Sequence, residues 1–373
     1  MNTSKDLTRY DRQIVLQGFG KEGQQRLSDA SVLVVGAGGL GCPALQYLAA
    51  AGVGRIGIAD DDVVSLSNLH RQILFTMADL GTPKAETAAS KLRQLNSDIE
   101  IQYYQTRLDV SNALDIISNF DIVLDGTDNF ASRYMINDAC VLLKKPLIFG
   151  AIAQYEGQVS VFNVPDSKNM MSNYRDLFPD PPGDNEIPNC AEAGVLGILP
   201  GIIGTMQAAE AIKLITGIGS VLAGRLLTFN VLTNQLYEVS FSPSKESQAL
   251  LPADKQSFLN MHYKEVCSIN DSSIVEIDAT QFKTLRLQPS TLVIDVREEN
   301  EVPRLTGFEH AVIPMSKFYN ELGTIKAANV ILLCQHGIRS MYAAELLHEE
   351  NQEIKKLYSL KGGISRWISE LNS

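Results

Sequence analysis

Short apolar segments alternate with amphipathic ones from residue 31 onward, and this alternation restricts the fold more than any other feature of the chain. The apolar segments "SVLVVGA", "GRIGIAD" and "FDIVLDGTD" are each followed by residues with helical periodicity. Strands that alternate with helices form a parallel sheet with helices on both faces. The sequence therefore predicts an α/β fold with a doubly wound, mostly parallel sheet.

A second, shorter alternation begins at "SIVEID" and includes "TLVIDVRE", "NVILLCQHG" and "SLKGGISRWI". The residues before it are polar and have the composition of a linker. A chain of 373 residues is also too long for one typical domain. We therefore predict a first domain over residues 1–245, a linker over 246–272 and a smaller α/β domain over 273–373.

Charge and hydropathy exclude several classes of partner. The formal net charge of -11 opposes the basic field that nucleic-acid binders need. No apolar signal follows the first residues, and no apolar run approaches the ~20 residues of a membrane span. We expect no nucleic-acid partner, no membrane segment and a cytoplasmic location.

The first predicted strand runs into the glycine-rich segment "VVGAGGLG". Gly36, Gly38 and Gly41 have the G-x-G-x-x-G spacing, with Gly39 between them. Such a loop permits a tight turn and brings backbone N–H groups close to phosphate at a helix N-terminus. Asp60 ends the next strand, where a carboxylate accepts hydrogen bonds from ribose hydroxyls. Up to this point a nicotinamide enzyme fits the sequence equally well.

The polar residues beyond that strand favour a triphosphate. Asn68, Arg71 and Gln72 lie in "SLSNLHRQ", and Lys84 begins a helix for which we predict Thr82 as the N-cap. A triphosphate needs a guanidinium and an ammonium for the charge that develops during phosphoryl transfer. Hydride transfer has no such requirement.

The segment "LDGTDNF" ends another apolar strand with Asp125 and Asp128. A carboxylate at this position could hold magnesium against the phosphates. Helix caps and surface charges are the alternative interpretation for any one of these residues. Several of them at strand ends beside a glycine loop favour a nucleotide site.

Seven motifs occur in order between residues 8 and 242: "RYDRQIVLQGFG", "VVGAGGLG", "SLSNLHRQ", "GTPKAE", "DGTDNF", "EGQVSVF" and "CAEAGVLG". Through these motifs the segment resembles the MoeB/ThiF group of adenylyltransferases, which are relatives of ubiquitin-activating enzymes. The resemblance implies a Rossmann-like domain that binds ATP and magnesium. It implies that Asp60 binds the ribose, that Asn68, Arg71 and Lys84 bind phosphates, and that Asp128 binds magnesium.

The resemblance also implies a homodimer in which Arg12 reaches into the partner subunit's site. One departure concerns zinc, which some members bind through the C-x-x-C of "CYRCL". This chain has "NYRDL" over residues 173–177, and we place Lys264 and Cys267 where the second cysteine pair would lie. We therefore expect no structural zinc.

Cys334 lies in "LLCQHGIRS", directly after an apolar strand. The pattern C-x-x-G-x-R predicts a loop whose N–H groups surround the sulfur, and Arg339 favours the thiolate. A buried, inert cysteine is the alternative. Residues 274–373 also resemble a rhodanese domain, through "VIDVRE", this loop and "LKGGISRW". The resemblance implies a persulfide on Cys334, and we interpret Asp295 and Arg297 as structural.

The other four cysteines are far apart in the sequence and form no C-x-x-C pair, which indicates free thiols. Cys190 opens "CAEAGVLG", and the family resemblance implies a covalent link there to the carrier's C-terminus. Its alternative is a buried small hydrophobe. Cys42 and Cys140 lie in apolar helical segments and are predicted to be core residues, and Cys267 has no evident role.

Taken with the resemblances, the sequence predicts activation of a small ubiquitin-like sulfur carrier that ends in Gly-Gly. The carrier's carboxylate would form an acyl adenylate, and a persulfide donor such as a cysteine desulfurase would supply sulfur through Cys334 to give a thiocarboxylate. The predicted catalytic residues are Arg71, Asp128, Cys190, Cys334 and Arg339. Two alternatives remain open: adenylation for thiamin or tRNA thiolation rather than molybdopterin, and a catalytically silent scaffold that only binds the carrier.

Overall fold

The computed structural model divides the chain into two compact units, Met1–Val266 and Cys267–Ser373. The structure describes residues 7–179, 194–263, 274–298, 301–335, 337–350, 354 and 356–371. Each unit has its own sheet and its own hydrophobic core.

The first unit is built on an eight-stranded sheet with the order β3-β2-β1-β4-β5-β6-β7-β8. The first five strands in chain order are parallel, and β6, β7 and β8 are added antiparallel at one edge. This confirms the predicted α/β class with a mostly parallel sheet. The strands are β1 (Ser31–Val35), β2 (Arg55–Ala59), β3 (Glu100–Tyr104), β4 (Ile122–Asp125), β5 (Leu147–Ala153), β6 (Glu156–Phe162), β7 (Arg225–Asn230) and β8 (Gln235–Ser240).

Helices connect the parallel strands and cover the two faces of this sheet with separate apolar clusters. The connecting helices are Gly41–Ala51, Lys84–Leu95, Ala113–Ser118 and Phe130–Leu143. The other helices of the described part of this unit are Asp11–Ile14, Gly20–Asp29, Tyr174–Leu177, Ile198–Thr216, Lys245–Ala249 and Lys255–Leu259. Thr82 was predicted as an N-cap, and this is wrong by one residue. Pro83 is the N-cap with extended backbone, and the Thr82 hydroxyl instead donates to the Asp79 carbonyl over 2.6 Å.

The helix Ile198–Thr216 lies against the sheet and is tied to it by hydrogen bonds. The buried amide of Gln207 donates to the carbonyls of Asp125 (2.7 Å), the last residue of β4, and Ile148 (3.3 Å), the second residue of β5. Among the described residues it is the one helix whose length and composition would allow it to cross a membrane. Its most apolar 18-residue segment is 44% buried inside the protein. Its contacts are those of a core helix.

Residues 245–263, in the region predicted to be a linker, pack on the first unit. Two short helices form here, with N-caps at Ser244 and Asp254. Phe258 is fully buried, and the Tyr263 hydroxyl donates to Asp138 over 2.8 Å. We predicted a linker because most residues of this stretch are polar, and the few residues that anchor it cannot be recognised from composition.

A hydrogen-bonded cluster occupies the segment that aligns with "CYRCL". Asp176 accepts hydrogen bonds from the Asn173 backbone (2.8 Å), the Ser244 backbone (2.9 Å) and the Ser247 hydroxyl. Asp176 therefore joins its own turn to Ser244 and Ser247, which have the Ser-x-x-Ser spacing. Lys264 and Cys267, where we placed the second cysteine pair, lie outside the described residues, and the absence of zinc stays a prediction.

The second unit has a five-stranded parallel sheet with the order β11-β10-β12-β13-β9. The strands are β9 (Ile274–Ile277), β10 (Thr291–Asp295), β11 (Ala311–Val312), β12 (Asn329–Leu333) and β13 (Lys356–Leu360). The helices are Ala279–Leu285, Met315–Glu321, Ile338–Glu350 and Gly363–Leu371. This confirms the smaller α/β domain.

Candidate functional site

The glycine loop lies between β1 and the helix Gly41–Ala51, and its backbone leaves no room for side chains at two positions. Gly36 has a φ of 92°, in the left-handed region that favours glycine. A Cβ at Gly41 would lie 1.9 Å from the Gly36 carbonyl oxygen. The loop thus approaches the helix N-terminus closely, as a phosphate-binding turn requires.

Asp60 follows β2 and faces the glycine loop. Its carboxylate accepts hydrogen bonds from the backbone N–H groups of Ala37 (2.7 Å) and Asp62 (2.9 Å). Burial raises the pKa of this carboxyl above its ordinary value, and the two backbone hydrogen bonds oppose that shift. Asp60 is therefore beside the loop, as the sequence predicts.

Lys84 is buried beside the same strand end and is paired with a residue that sequence reasoning missed. Its Nζ lies 2.5 Å from Asp62 Oδ2, and its side chain is 6% exposed against 62% for Asp62. Asp62 is the last residue of the acidic run "DDD", which gives no sign that one member holds a lysine across 22 positions. An ammonium held in this way is available to phosphate if the exposed carboxylate moves aside.

Arg71 and Gln72 lie against the glycine loop. A Cβ at Gly39 would lie 3.6 Å from Arg71 Cδ, and one at Gly38 would lie 3.8 Å from Gln72 Nε2. Gln72 is 3% exposed, and its Oε1 accepts no hydrogen bond from the described residues. The structure therefore brings both predicted ligands to the loop. Gln72 Oε1 remains available to accept a hydrogen bond from a bound group.

The neighbouring predicted ligands have local partners. Arg71 donates to the Ser67 carbonyl (3.0 Å) and contacts His70 Nε2 (2.8 Å). Asn68 accepts a hydrogen bond from the Ser65 backbone (3.1 Å), which caps the short 3-10 helix Leu66–Asn68. Asn68 is thus held in place by its own turn.

The end of β4 supplies the two predicted carboxylates in different environments. Asp125 is buried and accepts hydrogen bonds from the Thr127 backbone (2.9 Å) and hydroxyl (2.7 Å). Burial raises the pKa of Asp125 above its ordinary value, and Arg133 opposes that shift. Asp128 is exposed and makes no hydrogen bond or ion pair with another described residue. Of the two, Asp128 is free to meet a cation.

The magnesium prediction fits this donor set. Magnesium is commonly held by one or two carboxylates together with substrate phosphates and water. An exposed carboxylate on the turn beside the glycine loop meets that requirement, since a Cβ at Gly36 would lie 2.9 Å from the Gly126 carbonyl. Within the described ranges, no group of three or more histidine, cysteine, aspartate or glutamate residues could hold a metal without a substrate.

Two predicted residues are not brought to this loop by the described chain. Arg12 is exposed in the short helix Asp11–Ile14 and makes no hydrogen bond or ion pair with the described residues. Its role in a partner subunit stays a prediction. Cys190 lies outside the described residues.

Buried residues around the β4 turn were missed by sequence reasoning. Arg133 is 6% exposed, and its Nη2 donates to the Thr127 carbonyl over 3.3 Å. The Gln207 side-chain amide donates to the Asp125 carbonyl over 2.7 Å. Arg133 and Gln207 are polar residues in largely apolar helices. They could have been predicted as part of the site only if the helix face that carries them had been known to be buried.

In the second unit, Cys334 directly follows β12 and lies in the predicted loop. It is 1% exposed, its Sγ accepts a hydrogen bond from the Gly337 backbone (3.1 Å), and Ser340 Oγ lies 3.4 Å away. Gly337 has a φ of 93°, and a Cβ there would lie 3.0 Å from the Gly362 backbone nitrogen. The loop therefore requires glycine, and it aims an N–H at the sulfur.

Arginines on either side of this loop are both paired. Arg339 forms a two-point ion pair with Glu301, with Nη1–Oε1 at 2.5 Å and Nη2–Oε2 at 2.7 Å. Arg297 is 2% exposed and is bound to Asp295, with Nη2–Oδ2 at 2.8 Å. The Asp295–Arg297 pair is buried and its charges compensate each other, and its structural role stays a prediction. Glu301 was missed because it belongs to the acidic run "EENE".

The two remaining described cysteines are core residues, as predicted. Cys42 and Cys140 are fully buried. Burial raises the pKa of the Cys42 thiol to about 12 and raises that of Cys140 further above its ordinary value. Neither has the thiolate character of a nucleophile at neutral pH.

The fold and the two sites define an enzyme with a nucleotide-binding α/β unit and a second unit built around a cysteine loop. Comparison with known families matches the ThiF family over residues 10–250 and the rhodanese-like domain over residues 278–370. The chain belongs to the ThiF family and carries a C-terminal rhodanese-like domain. This confirms both resemblances.

Two curated relatives match about nine tenths or more of the chain, and a third matches 62% of it. A probable adenylyltransferase/sulfurtransferase MoeZ of Mycobacterium tuberculosis is 38% identical over 98% of this chain and 94% of its own length. The adenylyltransferase and sulfurtransferase MOCS3 of Aedes aegypti is 42% identical over 89% of this chain and 71% of its own. A sulfur carrier protein adenylyltransferase of Thermus thermophilus is 53% identical over 62% of this chain and 85% of its own. The chain is an adenylyltransferase with a sulfurtransferase domain, and its family implies ATP as substrate.

Solved structures share the fold of the first unit. The crystal structure of E. coli MccB superimposes with a TM-score of 0.57 at 21% identity, over 65% of this chain and 72% of that one. PaaA superimposes with a TM-score of 0.52 at 20% identity, over 65% of this chain and 75% of that one. At these identities the likeness concerns the fold alone.

Proposed function

We propose that this chain adenylylates the C-terminal Gly-Gly carboxylate of a small ubiquitin-like sulfur carrier and then converts that terminus to a thiocarboxylate. The observation that carries the proposal is one chain with two chemical centres. A glycine loop contacted by Asp60, Arg71 and Gln72 lies in one unit, with Lys84 paired to Asp62 after the same strand, and Cys334 Sγ accepts a hydrogen bond from a loop N–H in the other unit. The relative from Thermus thermophilus, named for a sulfur carrier, supports the choice of substrate.

Activation is needed because a free carboxylate resists nucleophiles. In the first step a carrier carboxylate oxygen attacks the α-phosphorus of ATP. An O–P bond forms, the bond to the β-phosphate oxygen breaks, and pyrophosphate leaves with the electron pair. Arg71 and Lys84 stabilise the charge that develops on the phosphates, and Asp60 and Asn68 orient the nucleotide.

Asp128 would hold magnesium in this proposal. The metal would neutralise phosphate charge during adenylation. The chain's own contribution is to keep this carboxylate exposed, while Asp125 behind it is buried and occupied by Thr127.

Sulfur transfer follows in the proposal. The terminal sulfur of a Cys334 persulfide attacks the acyl carbon, the bond to the adenylate oxygen breaks, and AMP leaves with the electron pair. The carrier is then joined to Cys334 through an acyl disulfide. A thiolate, for which we predict Cys190, attacks Cys334 Sγ, so that the carrier leaves as a thiocarboxylate. Two molecules of a thiol reductant then reduce the Cys190–Cys334 disulfide in two successive exchanges, so that both cysteines become thiols again and the reductant leaves as its own disulfide.

Tethering of the two units supports this coupling, because fusion raises the effective concentration of the sulfur donor near the activated acyl group. The proposal includes a homodimer, a cysteine desulfurase or similar protein as the persulfide source, and a cytoplasmic location. It leaves open whether the carrier serves molybdopterin, thiamin or another thiolation. A relative from Porphyra purpurea, 40% identical over 98% of this chain, is named as a probable molybdopterin-synthase adenylyltransferase.

The test is the mass of the carrier. A purified Gly-Gly carrier is incubated with the full chain, ATP, magnesium, a thiol reductant and a persulfide donor. Exchange of the terminal oxygen for sulfur adds about sixteen daltons, and we expect this product only when ATP and the persulfide donor are both present. An unmodified carrier, together with no carrier-dependent ATP–pyrophosphate exchange, would favour the silent scaffold.

A further inference from the structure

An ion pair with Glu301 compensates the charge of Arg339, the arginine that ends the cysteine loop. Arg339 is the last residue of the six-residue loop that begins at Cys334. Glu301 binds both terminal nitrogens of its guanidinium, at 2.5 and 2.7 Å. Both side chains are part exposed, at 30% and 27%. The pair is therefore at a surface that a sulfur donor can reach.

Glu301 is fixed in place by its own turn. Its Oε1 accepts a hydrogen bond from the Glu298 backbone (2.8 Å), and its backbone N–H donates to the Glu298 carbonyl (3.0 Å). The Glu298 carboxylate in turn accepts hydrogen bonds from the Ser316 backbone (3.0 Å) and hydroxyl (2.9 Å). The Glu301 carboxylate is therefore held in one position beside Arg339. This distinguishes the pair from a surface ion pair between two flexible side chains.

The other guanidinium beside the loop is also compensated. Arg297 is bound to Asp295 and donates to the Gln335 side chain over 3.1 Å. The arginine of the loop and the arginine packed beneath it thus each have a carboxylate partner. An inorganic donor with two negative charges needs uncompensated positive charge where it binds.

We propose that Glu301 is a specificity-determining residue that neutralises Arg339 and so directs the Cys334 site away from dianionic sulfur donors such as thiosulfate and toward persulfides of thiols. The inference rests on the sulfur-transfer function proposed above. The inference concerns which donor loads sulfur onto Cys334. It leaves the later transfer of that sulfur to the carrier unchanged. Glu301 acts through Arg339 and is a positioning residue rather than a catalytic one.

Both donors would react through the same bond changes. The Cys334 thiolate attacks the sulfane sulfur, a new S–S bond forms on Sγ, and the old S–S bond breaks. From thiosulfate, sulfite leaves with the electron pair, and from a persulfide, a thiolate leaves with it. The sulfane sulfur moves without an external oxidant or reductant, so the two donors differ at this site chiefly in charge and size.

The test compares donors on the full chain with cyanide as the sulfur acceptor. The two donors are thiosulfate and the persulfide of 2-mercaptoethanol, which carries a single negative charge. For Glu301→Gln we expect the ratio of kcat/KM for thiosulfate to kcat/KM for the persulfide to rise about tenfold, mainly through a lower KM for thiosulfate. Glu301→Asp keeps the charge and should restore a ratio near that of the unmodified chain.

Glu309→Gln is the matched control, because Glu309 is an exposed carboxylate of the same unit with no contact to Arg339. Its donor ratio should stay within about twofold, since distant surface charges are screened by salt. An unchanged ratio in Glu301→Gln, or an equal rise in Glu309→Gln, overturns the role of the pair. Persulfide turnover in Glu301→Gln shows that the loop is folded. Failure of the unmodified chain to form a Cys334 persulfide from either donor overturns the proposed function as well. The intact mass of the chain, measured after incubation with each donor, distinguishes this outcome from a change in donor preference.

Discussion

Lys84 Nζ lies 2.5 Å from Asp62 Oδ2, and this buried ammonium has a carboxylate partner that is itself mostly exposed. In the proposed nucleotide complex, Lys84 turns to the phosphates and Asp62 is released to water. Removal of the Asp62 charge should therefore destabilise the free enzyme more than the nucleotide complex.

We expect Asp62→Asn to lower the stability of the free first unit by roughly 1 kcal/mol, or about 2–4 °C in Tm. The rise in Tm on addition of magnesium-ATP should be larger in this variant than in the unmodified chain. Thermal unfolding with and without nucleotide measures both. Asp61→Asn is the control, since Asp61 is exposed and does not contact Lys84. A nucleotide-induced shift that is equal or smaller in Asp62→Asn contradicts the exchange of partners.

Arg71→Ala and Asp128→Ala should each abolish carrier-dependent ATP–pyrophosphate exchange. Loss of a charge that stabilises a transferring phosphoryl group typically costs ~10³-fold or more. Sulfur transfer to cyanide from a persulfide donor should stay near normal in both variants, because Cys334 belongs to a separate compact unit. Full exchange in both variants would refute the assignment of these residues to adenylation.

Arg12 is predicted to act on the partner subunit's nucleotide site. Subunits with Arg12→Ala and subunits with Arg71→Ala should each be inactive alone. After mixing and subunit exchange, heterodimers contain one site with both residues intact, and roughly a quarter of the exchange activity should return. No recovery after exchange has been verified by mass would count against a shared site.

The fold was predictable because its information is local. Apolar runs bounded by glycine or aspartate give β1, β2 and β4, and helices between them fix a parallel sheet. The packing of residues 245–263 on the first unit was not predictable, because two polar helices are anchored there by a few side chains, among them Ser247, Phe258 and Tyr263. Nothing in a single sequence shows that Phe258 is buried or that Tyr263 reaches Asp138.

The candidate sites divide in the same way. The glycine loop and the cysteine loop follow from spacing, because Gly36 and Gly337 have positive φ, which favours glycine, and a Cβ at Gly41 would collide with the Gly36 carbonyl. Asp62 and Glu301 do not, since each lies in an acidic run and its partner is 22 or 38 positions away. Such pairs depend on which strand ends are neighbours, which only the folded sheet determines.

Cys334→Ser should leave ATP–pyrophosphate exchange intact and stop thiocarboxylate formation from a persulfide donor. Serine preserves the shape of the loop but cannot hold sulfane sulfur. Cys190→Ser is the companion variant, in which loss of thiocarboxylate supports a resolving thiol and normal yield supports the buried-hydrophobe alternative. Intact mass of the carrier decides both cases. If Cys334→Ser still yields the heavier carrier at the normal rate, the second unit is not the sulfur donor.

Asp125 gives the first unit a pH dependence whose sign follows from burial. Its ordinary pKa is 3.8, and burial raises it in the folded chain. The protonated Asp125 carboxyl therefore favours the folded state. Its contribution to the free energy of unfolding is fully present below about pH 3.8 and is lost as pH rises through the folded pKa. Asp125→Asn cannot ionise, yet its carbonyl oxygen can still accept the hydrogen bonds from Thr127.

We therefore expect the free energy of unfolding of Asp125→Asn to exceed that of the unmodified chain at pH 7, with a difference that shrinks toward zero as pH approaches 3.8. Urea unfolding of the first unit at several pH values measures this difference. Asp128→Asn removes an exposed carboxylate from the same turn and should show little difference at any pH. If Asp125→Asn is less stable at pH 7, then the attraction of Arg133 for the ionised carboxylate exceeds the cost of burying it, and the direction of the shift is reversed.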